Sequence, residues 1–333
     1  VVKEEAMPGL TNSLTFDAAR VTEAAAVAAA HYRGRGDELE ADRAAGAAMR
    51  RELDRLPIRG RVVIGEGLPD EASVLYVGEE VGGGDADCLR MSIGADPLEG
   101  ATLCAKAVPG ALSVIAFAQE GGLLNAPDVY MDKIAIGPGY DQGLVDLDQP
   151  PAVNLRRLAE AKGVRIEKIT VCVLDRPRHG KLIAEIREAG AAIRLIGDGD
   201  IAGVIHTVRH KETGVDIYIG VGGAPEGVLA AAALRCTGGQ MQGRLVFHND
   251  FQRQQAREMG MTDLARKYTV NDMVPGDVIF AATGVTTGSL LKGVRFSDDA
   301  ITTSSVVMRS AARTLRWIST EHMAPENFPI PES

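Results

Sequence analysis

Ile93-Gly94-Ala95-Asp96-Pro97-Leu98-Glu99-Gly100-Ala101-Thr102 is the stretch from which the rest of the chain is read. The preceding Cys88-Leu89-Arg90-Met91-Ser92-Ile93 alternates as a half-buried strand does. Asp96-Pro97 is expected to end that strand, because proline lacks an N–H and restricts the residue before it. Asp96 is thereby predicted at a strand's carboxyl end, with Glu99 able to turn toward the same small volume. Two anionic groups so placed need a counter-cation. Hard ions such as Mg²⁺ or Mn²⁺ prefer carboxylate oxygens and usually share their shell with substrate phosphates. Asp-Pro followed by Gly is also a common turn.

Working outward, the 333 residues, 45% of them hydrophobic, suffice to bury a large core as two domains or one large one. A net charge of −9 without a sustained Lys/Arg cluster argues against a nucleic-acid surface. No apolar run approaches a membrane span, and Val1-Val2-Lys3-Glu4-Glu5 carries acids where a signal peptide would carry bases. The expectation is a cytoplasmic protein with neither a nucleic-acid nor a membrane partner. Cys88, Cys104, Cys172 and Cys236 lack the close spacings of a zinc site and read as free core thiols.

The first half reads as two helices, about Leu14 to His31 and Ala41 to Leu56, followed by largely sequential strands. These strands run near 60–67, 88–93, 111–118 and 131–136, with antiparallel pairing expected. The Pro-containing stretch Asp146 to Pro151 marks the expected boundary. It separates an N-terminal α+β metal-binding domain (1–150) from a C-terminal α/β substrate-binding domain (151–333). The second half alternates strand and helix: 169–174, 181–189, 193–196, a short helix, 215–220 and 226–234. That alternation predicts a parallel, doubly wound sheet whose ligands bind outside the carboxyl ends of its strands.

Several strand ends carry chemistry. Glu66 follows a β-branched run and is flanked by Gly65 and Gly67, which reads as a reachable acid or as a plain turn. Asp42 reads first as an acid near a helix start. Arg176 and Arg178, with Pro177 between them, could face one side of an extended loop and fork onto a phosphate, or form a solvated basic loop. Asp198 and Asp200 flank Gly199 and could accept from a polyol or form an Asx turn. Gly222-Gly223 precedes a helix and offers N–H groups to an anion, while Glu226 could reach a cation or be a first-turn acid. Carboxylates for metals, arginines for phosphate and paired acids for hydroxyls are together what a metal-dependent sugar phosphatase requires.

The chain resembles the class II fructose-1,6-bisphosphatases, metal-dependent, lithium-sensitive sugar phosphatases, from about Leu14 to His322. The resemblance is carried by Ile64-Gly65-Glu66-Gly67 with Asp70-Glu71-Ala72, by Asp96-Pro97-Leu98-Glu99-Gly100 and by Asn125-Ala126-Pro127-Asp128-Val129-Tyr130-Met131. Arg176-Pro177-Arg178-His179, Asp198-Gly199-Asp200 and Gly222-Gly223-Ala224-Pro225-Glu226-Gly227 complete it. It implies an α/β fold layered α-β-α-β-α and hydrolysis of the 1-phosphate of fructose 1,6-bisphosphate, with sedoheptulose 1,7-bisphosphate a substrate of some members. It further implies Mg²⁺ or Mn²⁺ as cofactor and a homodimer or homotetramer. By position, Asp42, Glu66, Asp96, Glu99 and Glu226 resemble the metal ligands. Glu99, Gly100, Ala101, Tyr130, Arg176, Pro177, Arg178, Asp198, Gly199, Asp200 and Gly223 fall in the substrate-binding set, with Asp96, Glu99 and position 101 the catalytic ones.

Two departures stand out. The resemblance implies a threonine that positions the attacking water where this chain has Ala101, and Thr102 one place on aims elsewhere. Turnover is therefore expected to be impaired. Glu38-Leu39-Glu40 stands where some relatives have Lys-Asn-Thr, which bears on a nearby phosphate contact. The alternatives are an inositol or nucleotide phosphatase of the same superfamily, or a non-catalytic sugar-phosphate-binding protein.

Overall fold

A computed structural model describes residues 10, 12–67, 72 and 74–328. Asp70 and Glu71, and the opening Val1 to Glu5, lie outside the described residues. The alanine-rich run after Leu10 forms α1 (Asn12–Ala30) and packs against α2 (Glu38–Leu53). Small side chains let the two helices approach closely: Ala24, Ala28, Ala44 and Ala48 form one buried seam. Asp37 starts α2 by accepting the Glu40 N–H at 3.0 Å, which places Asp42 one turn inside the helix.

Both helices cover one face of an eight-stranded mixed sheet. Its strands are β1 (Arg59–Ile64), β2 (Glu80–Val81), β3 (Arg90–Glu99), β4 (Leu112–Gln119), and, from the far end of the chain, four more. The short helix α3 (Ala101–Ala105) separates β3 from β4. The second sheet begins with β5 (Tyr130–Ile136). It continues after α4 (Pro151–Lys162) with β6 (Thr170–Leu174), α5 (Gly180–Glu188), β7 (Ala192–Ile196), α6 (Asp200–Val208) and α7 (His210–Thr213). Next come β8 (Ile217–Gly223), α8 (Ala224–Thr237), β9 (Gln240–Val246), α9 (Asp250–Glu258), β10 (Lys267–Thr269) and α10 (Val270–Met273). The chain then returns to the first sheet as β11 (Val278–Gly284), β12 (Arg295–Phe296), β13 (Ile301–Arg309) and β14 (Thr314–His322).

Packing gives the layers. Helices α6 and α8 lie between the two sheets and share a core with β4 and β11 on one side and β5 and β9 on the other. Helices α4 and α5 cover the outer face of the second sheet. The order is therefore helices, sheet, helices, sheet, helices, an α/β fold as expected.

Three features depart from the sequence reading. First, β3 does not end at Asp96-Pro97 but runs to Glu99. Asp96 pairs with Val114 and Glu99 with Leu112, so three steps along β3 match two along β4. Pro97 sits at this bulge, where its missing N–H breaks no regular ladder. Second, the second sheet has the order β10-β9-β5-β8-β6-β7, and only β7-β6-β8 is parallel. Strands β5, β9 and β10 pair antiparallel, so that sheet, with helices on both faces, is mixed rather than wholly parallel. Third, sheet membership crosses the Asp146–Pro151 stretch in both directions: β5 precedes it and joins the second sheet, while β11 to β14 follow it and complete the first.

Candidate active site

The five acids expected to bind metal, Asp42, Glu66, Asp96, Glu99 and Glu226, all line one cavity of about 790 Å³, together with Asp198, Gly199 and Asp200. The five acids arrive on four parts of the chain, with Asp96 and Glu99 both on β3. Asp42 comes from α2 and Glu66 from the turn after β1. Residues three apart on a regular strand point to opposite faces, and the extra residue at the β3 bulge re-aims Asp96 and Glu99 into the same space. Glu226 lies in the first turn of α8, and Asp198 to Asp200 link β7 to α6.

Glycine makes this crowding sterically possible. A Cβ on Gly223 would fall 1.8 Å from Glu226 Oε2, and one on Gly222 would fall 2.1 Å from Asp200 Oδ2. Gly100, at φ +81°, turns the chain out of β3 into α3.

The acids are not neutralised by one another. Burial pushes the Asp96 carboxyl well above the usual range, and Glu226 and Asp42 add repulsion. Glu99 moves the same way through burial, with Asp96 and Asp200 adding to it. Glu66 is raised by burial and by Asp42, with which it shares a hydrogen bond that Asp42 accepts. Burial also raises Glu226, against which the Lys133 charge pulls down. Glu99 Oε1 accepts the Ile201 N–H at 2.8 Å, whereas Glu99 Oε2 and Glu226 Oε2 are buried without a hydrogen-bond partner.

An orphaned carboxylate oxygen in a cluster of like charges is what a cation would satisfy. The donor set is all oxygen, which suits Mg²⁺ or Mn²⁺. Among the described residues, no three acid, histidine or cysteine side chains are drawn together tightly enough to hold an ion as they stand. The fit thus rests on charge and unsatisfied oxygens rather than on a closed coordination shell.

Asp198 and Asp200 are already paired, with side chains that do not themselves line the cavity. Arg176 donates to Asp198 Oδ1 at 3.3 Å, and the Gly199 N–H donates to the same oxygen at 3.1 Å. Lys133 forms a buried ion pair with Asp200. Arg176 and Arg178 do not share one side of an extended loop, because Arg178 lies within the 3₁₀ turn Pro177–His179 that Arg176 precedes. Arg178 instead donates to the Val221 carbonyl from Nε at 3.0 Å and from a terminal nitrogen at 2.8 Å. Its guanidinium lies 4.8 Å from the Tyr130 ring centroid, and His248 meets that ring edge-on at 5.6 Å. His179 fixes the turn: its Nε2 accepts the Val221 N–H at 2.8 Å, which leaves Nδ1 to donate to the Leu174 carbonyl at 2.8 Å. The carboxyl ends of β6, β7 and β8 therefore meet, through Arg176 with Asp198 and Arg178 with Val221.

Gly100 lines the cavity, and Ala101 opens α3 with no hydroxyl to offer. Thr102 donates its hydroxyl to Glu38 at 2.9 Å, at the start of α2. That hydroxyl is spent on the rim, and Glu38 adds negative charge toward Asp198.

Sequence reasoning missed Lys133 and the α9 wall, where Asn249, Phe251, Gln252, Gln255 and Met259 line the cavity. The spacing of Phe251, Gln255 and Met259 at four residues is the signal that could have found the helix face. Lys133 carried only the weak signal of a charge inside an apolar strand.

A sequence model of the family described as bacterial fructose-1,6-bisphosphatase, glpX-encoded, matches residues 12–322. The D-fructose 1,6-bisphosphatase class 2/sedoheptulose 1,7-bisphosphatase of Synechococcus sp. (strain JA-3-3Ab) is 42% identical over 337 residues, covering 94% of this chain and 96% of that protein. The protein of the same name from Synechococcus elongatus is 41% identical, over 94% of this chain and 97% of its own. With the match running nearly end to end, this chain belongs to the glpX-encoded bacterial fructose-1,6-bisphosphatase family.

Proposed function

We propose that the chain hydrolyses the 1-phosphate of fructose 1,6-bisphosphate, and of sedoheptulose 1,7-bisphosphate as a second substrate, with Mg²⁺ or Mn²⁺ bound by Asp42, Glu66, Asp96, Glu99 and Glu226. The observation that carries the reading is the pair of orphaned oxygens, Glu99 Oε2 and Glu226 Oε2, in a cavity shared with Asp198 and Asp200. Bound divalent ions would neutralise the phosphoryl oxygens and lower the pKa of water. Asp96 and Glu99, brought together by the β3 bulge, would hold the cation side of the reacting phosphate. Asp198 and Asp200 would accept from sugar hydroxyls. Arg178, stacked on Tyr130, would have to release the Val221 carbonyl to reach the distal phosphate, and Arg176 would oppose the upward shift that burial gives the Asp198 carboxyl.

Position 101 supplies no hydroxyl, so turnover is reduced by ~10²–10⁴, the scale of a lost acid/base or water-positioning group. Among the described residues no helix is long and apolar enough to cross a membrane. A cytoplasmic setting accords with four free cysteines, three of them buried. A homodimer or homotetramer rests on the family alone, and sedimentation measures it.

Comparing phosphate release from fructose 1,6-bisphosphate and from inositol monophosphate, each with Mn²⁺, tests the assignment. Preference for the bisphosphate is expected. Equal or better hydrolysis of the monophosphate would move the chain to another substrate class.

A further inference from the structure

Lys133 sits in the middle of β5 and is completely buried. Its ammonium donates to the Asp200 carboxylate and, at 2.6 Å, to the Gly223 carbonyl. The two partners come from different elements: Asp200, which lines the cavity, starts α6, and Gly223 ends β8 and caps α8. The space around the ammonium is made by glycine, since a Cβ on Gly222 would lie 3.2 Å from Nζ and one on Gly227 3.4 Å from Cδ. A lysine is the costliest of side chains to bury unless it is paired, and here it is paired inside a site that otherwise holds an excess of acids.

We infer that Lys133 is the resident cation of the cleft, a positioning residue that commits Asp200 to the protein and confines divalent ions to the remaining acids. The inference rests on the reading of those acids as a cation site. Asp200 and the Gly223 carbonyl are held in register by one ammonium, so their placement is set before any ion or substrate arrives. The Lys133 charge also acts on Glu226, three residues beyond Gly223. Without it, Asp200 would become one more uncompensated carboxylate and would recruit an ion that the site does not otherwise hold.

The test is Mn²⁺ uptake by the metal-free, full-length chain, followed through the electron paramagnetic resonance signal of free Mn²⁺. It compares wild type with Lys133→Met, Asp200→Asn and the double variant. Lys133→Met is expected to bind about one further equivalent of Mn²⁺, because breaking a buried pair leaves its partner's charge uncompensated. Asp200→Asn leaves an unpaired ammonium beside the other acids and is expected to weaken Mn²⁺ binding by about tenfold. The double variant removes both charges and is expected to return to the wild-type stoichiometry and affinity. Should Lys133→Met fail to fold, the pair Asp200→Asn and double variant still decides: tighter binding by the double variant supports the inference, and equal binding overturns it. Identical uptake by wild type and a folded Lys133→Met also overturns it. If wild type itself takes up no Mn²⁺, the underlying cation reading fails and this inference falls with it.

Discussion

Glu23 on α1 and Glu99 on β3 are almost equally buried, at 4% and 5% exposed, yet their surroundings treat them in opposite ways. Glu23 Oε1 accepts from three hydroxyls, Thr320 at 2.7 Å, Thr303 at 3.1 Å and Ser305 at 3.5 Å. Glu99 has one backbone donor for one oxygen, none for the other, and Asp96 and Asp200 as repelling neighbours. The same chain thus satisfies a buried acid with neutral donors where the role is structural and leaves one unsatisfied in the cleft. The difference separates an acid held by neutral donors from one with an oxygen left over for the cation proposed above, and it can be broken or sharpened by substitution.

The largest effect is expected from Glu99→Gln: with Mn²⁺ present it should cost on the order of 10³-fold or more in phosphate release, as removal of one member of a cooperating set does. The same change should raise the thermal stability of the metal-free protein, because a repelling charge has gone. A lower metal-free Tm would place Glu99 with Glu23. In the other direction, Ala101→Thr should raise turnover by about 10²–10⁴-fold with substrate binding nearly unchanged.

The pH dependence follows from the raised carboxyls. The folded-state pKa values of Glu66, Asp96 and Glu99 lie above their unfolded values of about 4. In the metal-free protein their contribution to stability is fully present below pH about 4 and is lost as pH rises through the raised folded values. Saturating Mn²⁺ requires the ionised forms and should reverse the slope over the same window. Thermal melts from pH 4 to 8, with and without Mn²⁺, check this, and parallel curves would contradict it.

Glu23→Gln should cost about 1–3 kcal/mol of stability, through hydroxyls left with a poorer acceptor. Its phosphate release per folded molecule should match wild type. The smallest effect belongs to Thr102→Val, whose hydroxyl donates to a single rim carboxylate at 2.9 Å. A change in turnover within about threefold is expected, since a surface hydrogen bond is worth little. A loss comparable with that at Glu99 would mean that Thr102, not position 101, serves the reacting water.

What was legible in the sequence was the chemistry at element ends. Glu66 after a β-branched strand, Glu226 at a helix start and Asp198-Gly199-Asp200 between strand and helix were placed by local turn and capping rules, and they stand in the cleft. The β3 bulge was not legible, because the rule that proline ends a strand assumes a regular ladder and here the extra residue removes the conflict. The mixed character of the second sheet depended on β5, whose partners β8 and β9 lie more than 80 residues further along. Local alternation saw only β6 to β8. Arg176 and Arg178 were paired by spacing, but the turn at Pro177–His179 sends them to different acceptors. Lys133 was hidden for a similar reason: its partner Asp200 is 67 positions away.

The most direct measurement is phosphate release from fructose 1,6-bisphosphate by the metal-stripped protein and its Ala101→Thr variant across a Mn²⁺ titration. No release without Mn²⁺, a saturable onset in both proteins and a rate about 10²–10⁴-fold higher in the variant are expected. Release that persists after the metal is stripped, or equal rates in the two proteins, would contradict a cation-dependent site that lacks one hydroxyl.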